Sequence, residues 1–156
     1  MPRRGKVKKI KIAPDPVYNS VLVQKFINKI MYSGKKSIAE RIVYNSLKMA
    51  AEKVKSKPLD VFEKVINNVR PLMEVKPRRV GGSTYQIPIE VPRDRSLSLS
   101  MQWIRDNARK RAGKGMEGKL TAELVDAFNG AGGSMKKRED IHKMAEANKA
   151  FAHFRW

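Results

Sequence analysis

The sequence predicts a mainly α-helical protein: a six-helix body with a protruding two-stranded β-hairpin and a basic N-terminal arm. Three observations carry this. Apolar residues recur at three-to-four spacing through most of the chain, the mark of one-sided helices. Residues 84–91 switch to alternation, the period of a strand. The first eleven residues hold Arg3, Arg4, Lys6, Lys8, Lys9 and Lys11 with no acid, an arm that orders best on a polyanion. The expected division is an arm over 1–19 and a helical domain over 20–156, with the hairpin at about 72–91.

Pro14 and Pro16 close the arm by disfavouring helix at the residues before them. Asn19 and Ser20 offer caps for a first helix, whose stripe is Val21, Leu22, Phe26, Ile27, Ile30 and Met31. Ser33-Gly34 stops it. A second helix over about 36–54 carries Ile38, Ile42, Val43, Leu47, Ala50 and Val54, and the short link predicts an antiparallel pair. Pro58 suits the first turn of a third helix, with Leu59, Phe62, Val65, Ile66 and Val69 inward and Pro71 as its stop. Each helix has one apolar side, so the three should pack together.

Tyr85, Ile87, Ile89 and Val91 alternate with Thr84, Gln86, Pro88 and Glu90. Residues 72–79 supply the partner strand, and Gly81-Gly82 permits the positive φ angles of a hairpin turn. Pro77 and Pro88 cannot donate to a ladder, so both strands are edges. A lone ribbon is marginal in water, which predicts an arm projecting from the helical body.

Residues 96–101 alternate Ser and Leu and read as a possible strand, but Leu97, Met101, Ile104 and Ala108 fit a helix. A fourth helix over about 95–111 is preferred, since 102–112 holds good helix formers without Pro or Gly. A fifth runs over about 116–128 with Leu120, Leu124, Val125 and Phe128 inward. A sixth begins near Ser134 and carries Ile141, Met144, Ala145 and Asn148.

The chain has 34 basic and 15 acidic side chains in 156 residues, a formal charge of +19. That exceeds the roughly 2 to 8 units usual for a small domain and predicts a polyanionic partner. There is no cysteine, hence no disulfide, zinc-thiolate site or thiol nucleophile. No apolar run is long enough for a membrane span, and no apolar segment follows the basic start as a secretory signal requires.

Motifs that spell catalysis fail on context. Gly113-Lys114-Gly115-Met116-Glu117-Gly118 matches the dinucleotide pattern, but a helical segment precedes it where a strand is required. Gly34-Lys35-Lys36-Ser37 lacks the first glycine of a phosphate loop. His142 and His153 lie eleven apart with no cysteine, a poor metal set. Asp94 and Asp106 read as surface ion pairs with Arg95 and Arg105. The expectation is no enzyme, no cofactor and no metal.

The remaining cations cluster at element ends: Lys35 and Lys36; Lys76, Arg78 and Arg79; Arg93 and Arg95; Arg105, Arg109, Lys110, Arg111 and Lys114; and Lys136, Lys137, Arg138, Lys143, Lys149 and Arg155. Such groups hold phosphates regardless of base sequence, and arginine also stacks on exposed bases. A DNA-reading helix with Asn107, Arg109 and Lys110 is the alternative, opposed by the dispersion of charge over every junction. A protein scaffold with merely solubilising charge is the other. Phe26 and Phe62 read as core. Tyr85 reads as stacking or packing, and Phe151, Phe154 and Trp156 as base-stacking or folded back.

Three blocks carry a family resemblance. They are Gly34-Lys35-Lys36-Ser37-Ile38-Ala39-Glu40; then Val69-Arg70-Pro71, Glu74-Val75-Lys76 and Arg78-Arg79-Val80-Gly81-Gly82-Ser83-Thr84-Tyr85-Gln86; then Lys136-Lys137-Arg138-Glu139-Asp140 continuing from Met144 to Trp156. Over essentially its full length the chain resembles the bacterial-type ribosomal protein seven family of the small subunit. The resemblance implies a primary rRNA-binding protein that binds the 3′ major domain of small-subunit rRNA and nucleates head assembly. It implies rRNA contacts through the arm, Lys35, Lys36 and the 76–79 segment. Arg79, Gly81, Gly82, Ser83, Thr84 and Tyr85 of the hairpin are expected near exit-site tRNA and mRNA. Lys143, Lys149, Arg155 and Trp156 of the C-terminal block are expected in the same vicinity. Implied neighbours are ribosomal proteins nine, eleven, thirteen and nineteen of that subunit, with eleven on the hairpin side. Some relatives also repress their own operon. The implied location is the small ribosomal subunit in the cytoplasm, or in a plastid. Relatives often carry more arginine where Asp94 and Gln102 stand, which shifts the expected grip to Arg93, Arg95 and Arg105.

Overall fold

A computed structural model of the chain describes residues 11–154, and the side chain of Phe154 is not described. The arm residues Arg3, Arg4, Lys6, Lys8 and Lys9, and the terminal Arg155 and Trp156, lie outside it.

The described chain begins with a loop built around one acid. Asp15 is 1% exposed. Its carboxylate accepts from the backbone N–H groups of Val17 at 3.1 Å, Tyr18 at 2.9 Å and Ser20 at 3.2 Å. Aspartate forms such local turns readily. Tyr18 and Tyr44 pack edge-on above it at 5.8 Å. Burial and the Asp15 charge push the Tyr44 phenol up to about 12. Ser20 then caps α1 (Val21–Ile30) by accepting from Val23 N–H at 3.5 Å. Asn19 does not share the cap; it takes a left-handed turn at φ 49°.

Helix α1 buries Val23, Phe26, Ile27 and Ile30, while α2 (Lys36–Val54) buries Ala39, Val43, Leu47 and Ala50. Helix α3 (Pro58–Val69) opens on Pro58 and buries Val61, Phe62, Val65, Ile66 and Val69. Phe26 and Phe62 meet at 5.1 Å in the common core. Two expected stripe residues face outward: Val21 and Ile38, in the first turns of their helices, are 42% and 45% exposed.

Strands β1 (Met73–Val80) and β2 (Ser83–Glu90) form the antiparallel hairpin, pairing Val80 with Ser83 and Arg78 with Tyr85. Gly81 and Gly82 close it at φ 57° and 92°, angles that two-residue hairpin turns demand. The root docks on the body: β1 packs on α6, and β2 on the C-terminal 3-10 helix (Lys149–Phe154). Tyr85 lies 5.0 Å from Phe151, so that aromatic folds back onto the hairpin. Leu72 N–H donates to His142 Nε2 at 3.1 Å.

Residues 96–101 are helical, within α4 (Arg93–Lys110), which starts two residues earlier than expected. Ser100 and its neighbour Met101 are both buried, whereas strand alternation would send them to opposite faces, and Ser96 is buried one turn before Ser100. Ser100 Oγ satisfies itself by donating to the Leu97 carbonyl at 2.8 Å. Helix α5 (Met116–Phe128) is the centre of the fold, packing on α2, α3, α4 and α6. Helix α6 (Gly133–Ala147) buries Met135 and Ala145, but Met144, expected inward, is 45% exposed. Among the described residues the architecture is thus six α-helices with a two-stranded hairpin, and no helix is long and apolar enough to cross a membrane.

The buried carboxylate of Glu123, 1% exposed, locks the three last helices. It accepts from Arg111 Nε at 2.7 Å, Ser134 N–H at 2.9 Å and Ser134 Oγ at 2.6 Å. Arg111 also forks onto Asp126. The acid therefore sits at the N-terminus of α6, where backbone N–H groups favour negative charge.

Glu123→Gln should lower the unfolding free energy by about 3 kcal/mol, because it leaves a charged arginine short of its buried partner. Asp126→Asn should cost less than about 1 kcal/mol, since that carboxylate is 42% exposed. Urea unfolding measures both, and equal losses would remove Glu123 from its place as the joint.

Burial, then the Arg138 charge, lowers the His142 pKa below its ordinary value. The neutral ring is the form that accepts from Leu72. A base depressed on folding binds fewer protons folded than unfolded. Its stabilisation is therefore complete above the unfolded value of about 6.5 and declines as pH falls toward the folded pKa. The urea midpoint of the parent protein should drop more than that of His142→Gln between about pH 7.5 and about pH 5.5. Parallel curves would refute the coupling.

Candidate nucleic-acid interface

The C-terminal ends of α1 and α4 converge. Arg105 Nη1 donates to the Lys29 carbonyl at 3.4 Å, and Arg109 Nη2 to the Ile30 carbonyl at 3.2 Å. Both arginines thereby meet unsatisfied carbonyls at a helix end, where cations are favoured. Around them stand exposed Lys35, Lys36, Lys110 and Lys114. Lys36 shares its charge with Glu40 at 3.5 Å. Arg105 also pairs with Asp106 at 2.7 Å, as its sequence neighbourhood suggests. This edge joins the α1–α2 loop to the α4–α5 link.

A second group surrounds the hairpin. Arg79, Gly81, Gly82, Ser83 and Thr84 are exposed at its tip, and Arg78 is half-buried. Tyr85 is half-buried against Phe151. At the root Lys76 lies 4.0 Å from Glu74. Glu74 is 8% exposed and receives Arg95 in a fork, Nε at 2.9 Å from each oxygen and Nη2 at 2.8 Å from Oε2. Arg95 therefore pairs with Glu74 across the fold, and not with its neighbour Asp94. That bond and charge raise the Arg95 pKa. Arg93, beside it, is exposed.

A third group lies on α6 and beyond: Lys136, Lys137, Lys143 and Lys149 are exposed, with Arg138 half-buried and donating to the Asn68 carbonyl. Lys11 stands exposed at the first described position.

The predicted cations thus divide. Arg95, Arg105, Arg109, Arg111 and Arg138 each bond another part of the protein, Arg95 and Arg109 while remaining exposed. Arg111 is the extreme case. Burial pulls its pKa down, and the bonds to Asp126 and Glu123 outweigh this and leave it raised. Lys11, Lys35, Arg79, Arg93, Lys110, Lys114, Lys136, Lys137, Lys143 and Lys149 have no ion pair among the described residues. These groups lie at the α1–α2 loop, the hairpin tip, the α4–α5 link and α6, on several sides of one rigid body. Cations so distributed have the charge and spacing to meet phosphates of more than one strand.

Three features escaped the sequence reading. Glu74 and Glu123 are acids in a basic chain, and their burial depends on partners 21 and 12 positions away. Tyr32, in the α1–α2 loop, is 75% exposed beside Lys35; an aromatic adjoining Ser33-Gly34 and two lysines is the signal that marks it. The glycine motif at 113–118 does what its context implied, linking α4 to α5 with Gly115 at φ 75° before the first helical residue.

Comparison with known proteins gives the family. The family model described as ribosomal protein S7p/S5e matches residues 2–149. The small ribosomal subunit protein uS7 of Dictyoglomus turgidum is 62% identical over 156 residues, 100% of each chain. Its namesakes in Kosmotoga olearia and Desulfovibrio desulfuricans are each 58% identical, over 99% and 100% of each chain. With the family model covering nearly the whole chain and full-length relatives at this identity, the chain belongs to the ribosomal protein S7p/S5e family.

Proposed function

We propose that the chain is a non-enzymatic structural constituent of the small ribosomal subunit that binds the 3′ major domain of its rRNA directly and helps to organise the subunit head. The observation that supports this most is the placement of unpaired cations at separate junctions of one helical body. Bare RNA helices repel one another; a rigid protein with cations on several sides offsets that repulsion and fixes the angle between them. The hairpin, with Arg79 and Thr84 exposed beside a two-glycine turn, presents a narrow edge suited to exit-site tRNA and mRNA. On this reading the protein works in the ribosome, and its neighbours include ribosomal protein eleven on the hairpin side.

The salt dependence of binding to the isolated rRNA domain tests multi-phosphate bridging. Affinity should fall by well over tenfold between about 50 and about 200 mM salt. A change smaller than that would favour a protein scaffold with solubilising charge. Deletion of residues 1–11 should weaken binding and flatten the salt slope while leaving the urea midpoint unchanged, because the loop held by Asp15 begins beyond the cut. Unfolding of that variant would make the segment part of the fold instead of part of the grip.

A further inference from the structure

We propose that the pocket between the α1–α2 loop and the C-terminal end of α4 is a nucleobase site. It takes one unstacked base of the bound RNA against Tyr32, with the flanking phosphates on Lys35 and Arg109. The inference rests on the rRNA-binding reading above and adds to it a contact with a base in place of a phosphate.

Tyr32 is the most exposed large apolar side chain among the described residues, at 75%. It has no hydrogen bond or ring partner among them. The loop that carries it is nevertheless fixed. Lys35 N–H donates to the Tyr32 carbonyl at 3.1 Å and Lys36 N–H to the Gly34 carbonyl at 2.9 Å, through left-handed Ser33 and Gly34. A ring held out on a braced loop loses little conformational freedom when something stacks on it.

Beside the ring opens a cavity of about 350 Å³ whose floor includes Ile30, Ile38 and Met116. That size lies in the range of small-ligand pockets, about 300 to 1,000 Å³. Its charged lining consists of Lys35 and Arg109, both cations. Arg109 is pinned at the wall by its bond to the Ile30 carbonyl. The pocket therefore suits an occupant with a flat apolar face attached to negative charge. A nucleobase carried on its phosphates has both, whereas an apolar peptide segment has only the first. Single-stranded loops and bulges of RNA are read in this way, by stacking on aromatic rings and guanidinium planes.

The full chain and in vitro transcribed 3′ major domain rRNA supply the test. Tyr32→Ala should weaken binding about tenfold, a typical loss for one base–aromatic stack, and Tyr32→Trp should restore it. The slope of affinity against salt should stay unchanged in both, since no phosphate contact is lost. The urea midpoint should not move, because the side chain is exposed. Tight, salt-sensitive binding by the parent that Tyr32→Ala leaves intact would overturn the base site while sparing the rRNA reading. Absence of salt-sensitive binding by the parent would bring down the rRNA reading itself, and the base site with it. A weakening accompanied by a flatter slope would assign the pocket to phosphates alone. A photoreactive phenylalanine analogue at position 32, in assembled subunits, should crosslink to rRNA; a crosslink to a protein would likewise overturn the proposal.

Discussion

A chain with 34 basic and 15 acidic side chains repels itself, and its fold depends on where the few acids go. Three of them are buried, each at a joint. Asp15 holds the N-terminal loop against the start of α1 through three backbone N–H groups. Glu74 ties the hairpin root to α4 through Arg95. Glu123 ties the end of α4 to the start of α6 through Arg111 and Ser134. Such carboxylates would be costly to bury alone, but each is met by several donors, which is the condition under which a buried charge is tolerated. The apolar stripes then need only to close the spaces between joints already set.

The hairpin shows the same logic in its dependence on the body. A two-stranded ribbon of this length is marginal by itself. Here it is held at three points: at the root by the Glu74–Arg95 fork and the Leu72 N–H bond to His142, and nearer the turn by the Tyr85–Phe151 contact. Beyond Tyr85 the strands end in a two-glycine turn with polar, exposed neighbours. The element is thus anchored below and unencumbered above, which is what a protein needs in order to place a thin edge beside a passing strand.

Periodicity made the helices legible because each must bury one face, and α2, α3 and α5 run where their stripes and prolines indicated. It failed at first turns, where Val21 and Ile38 continue the stripe in sequence but lie past the edge of the packed surface. The alternating serines and leucines of 96–101 matched two periods at once. The choice is made by joint burial of the neighbours Ser100 and Met101, which only the helix can turn toward one packed side. The interface was legible only as a pool of cations. Which of them hold the fold is decided by pairings such as Arg138 with the Asn68 carbonyl and Arg105 with the Lys29 carbonyl, 70 and 76 positions apart. No local pattern encodes such distances.

Once those pairings are known, the two kinds of cation separate by chemistry. The strongest internal partnerships belong to arginines: Arg95, Arg105, Arg109, Arg111 and Arg138 all bond carboxylates or helix-end carbonyls. Among the described residues, the cations at element junctions that have no ion pair are mostly lysines, at 11, 35, 110, 114, 136, 137, 143 and 149. The planar guanidinium offers five donors in a fixed fork, so it can satisfy a buried acid or several carbonyls at once and keep its charge there. The ammonium is a hydrated point charge on a flexible stem, suited to follow a phosphate whose position the protein does not dictate. On the proposed rRNA-binding reading, arginines holding joints and lysines meeting the RNA backbone let one strongly basic sequence be a rigid body and an adaptable polyanion grip together. On the same reading the exposed arginines at the hairpin and its root, Arg79 and Arg93, are the positions where the fork itself would face the RNA.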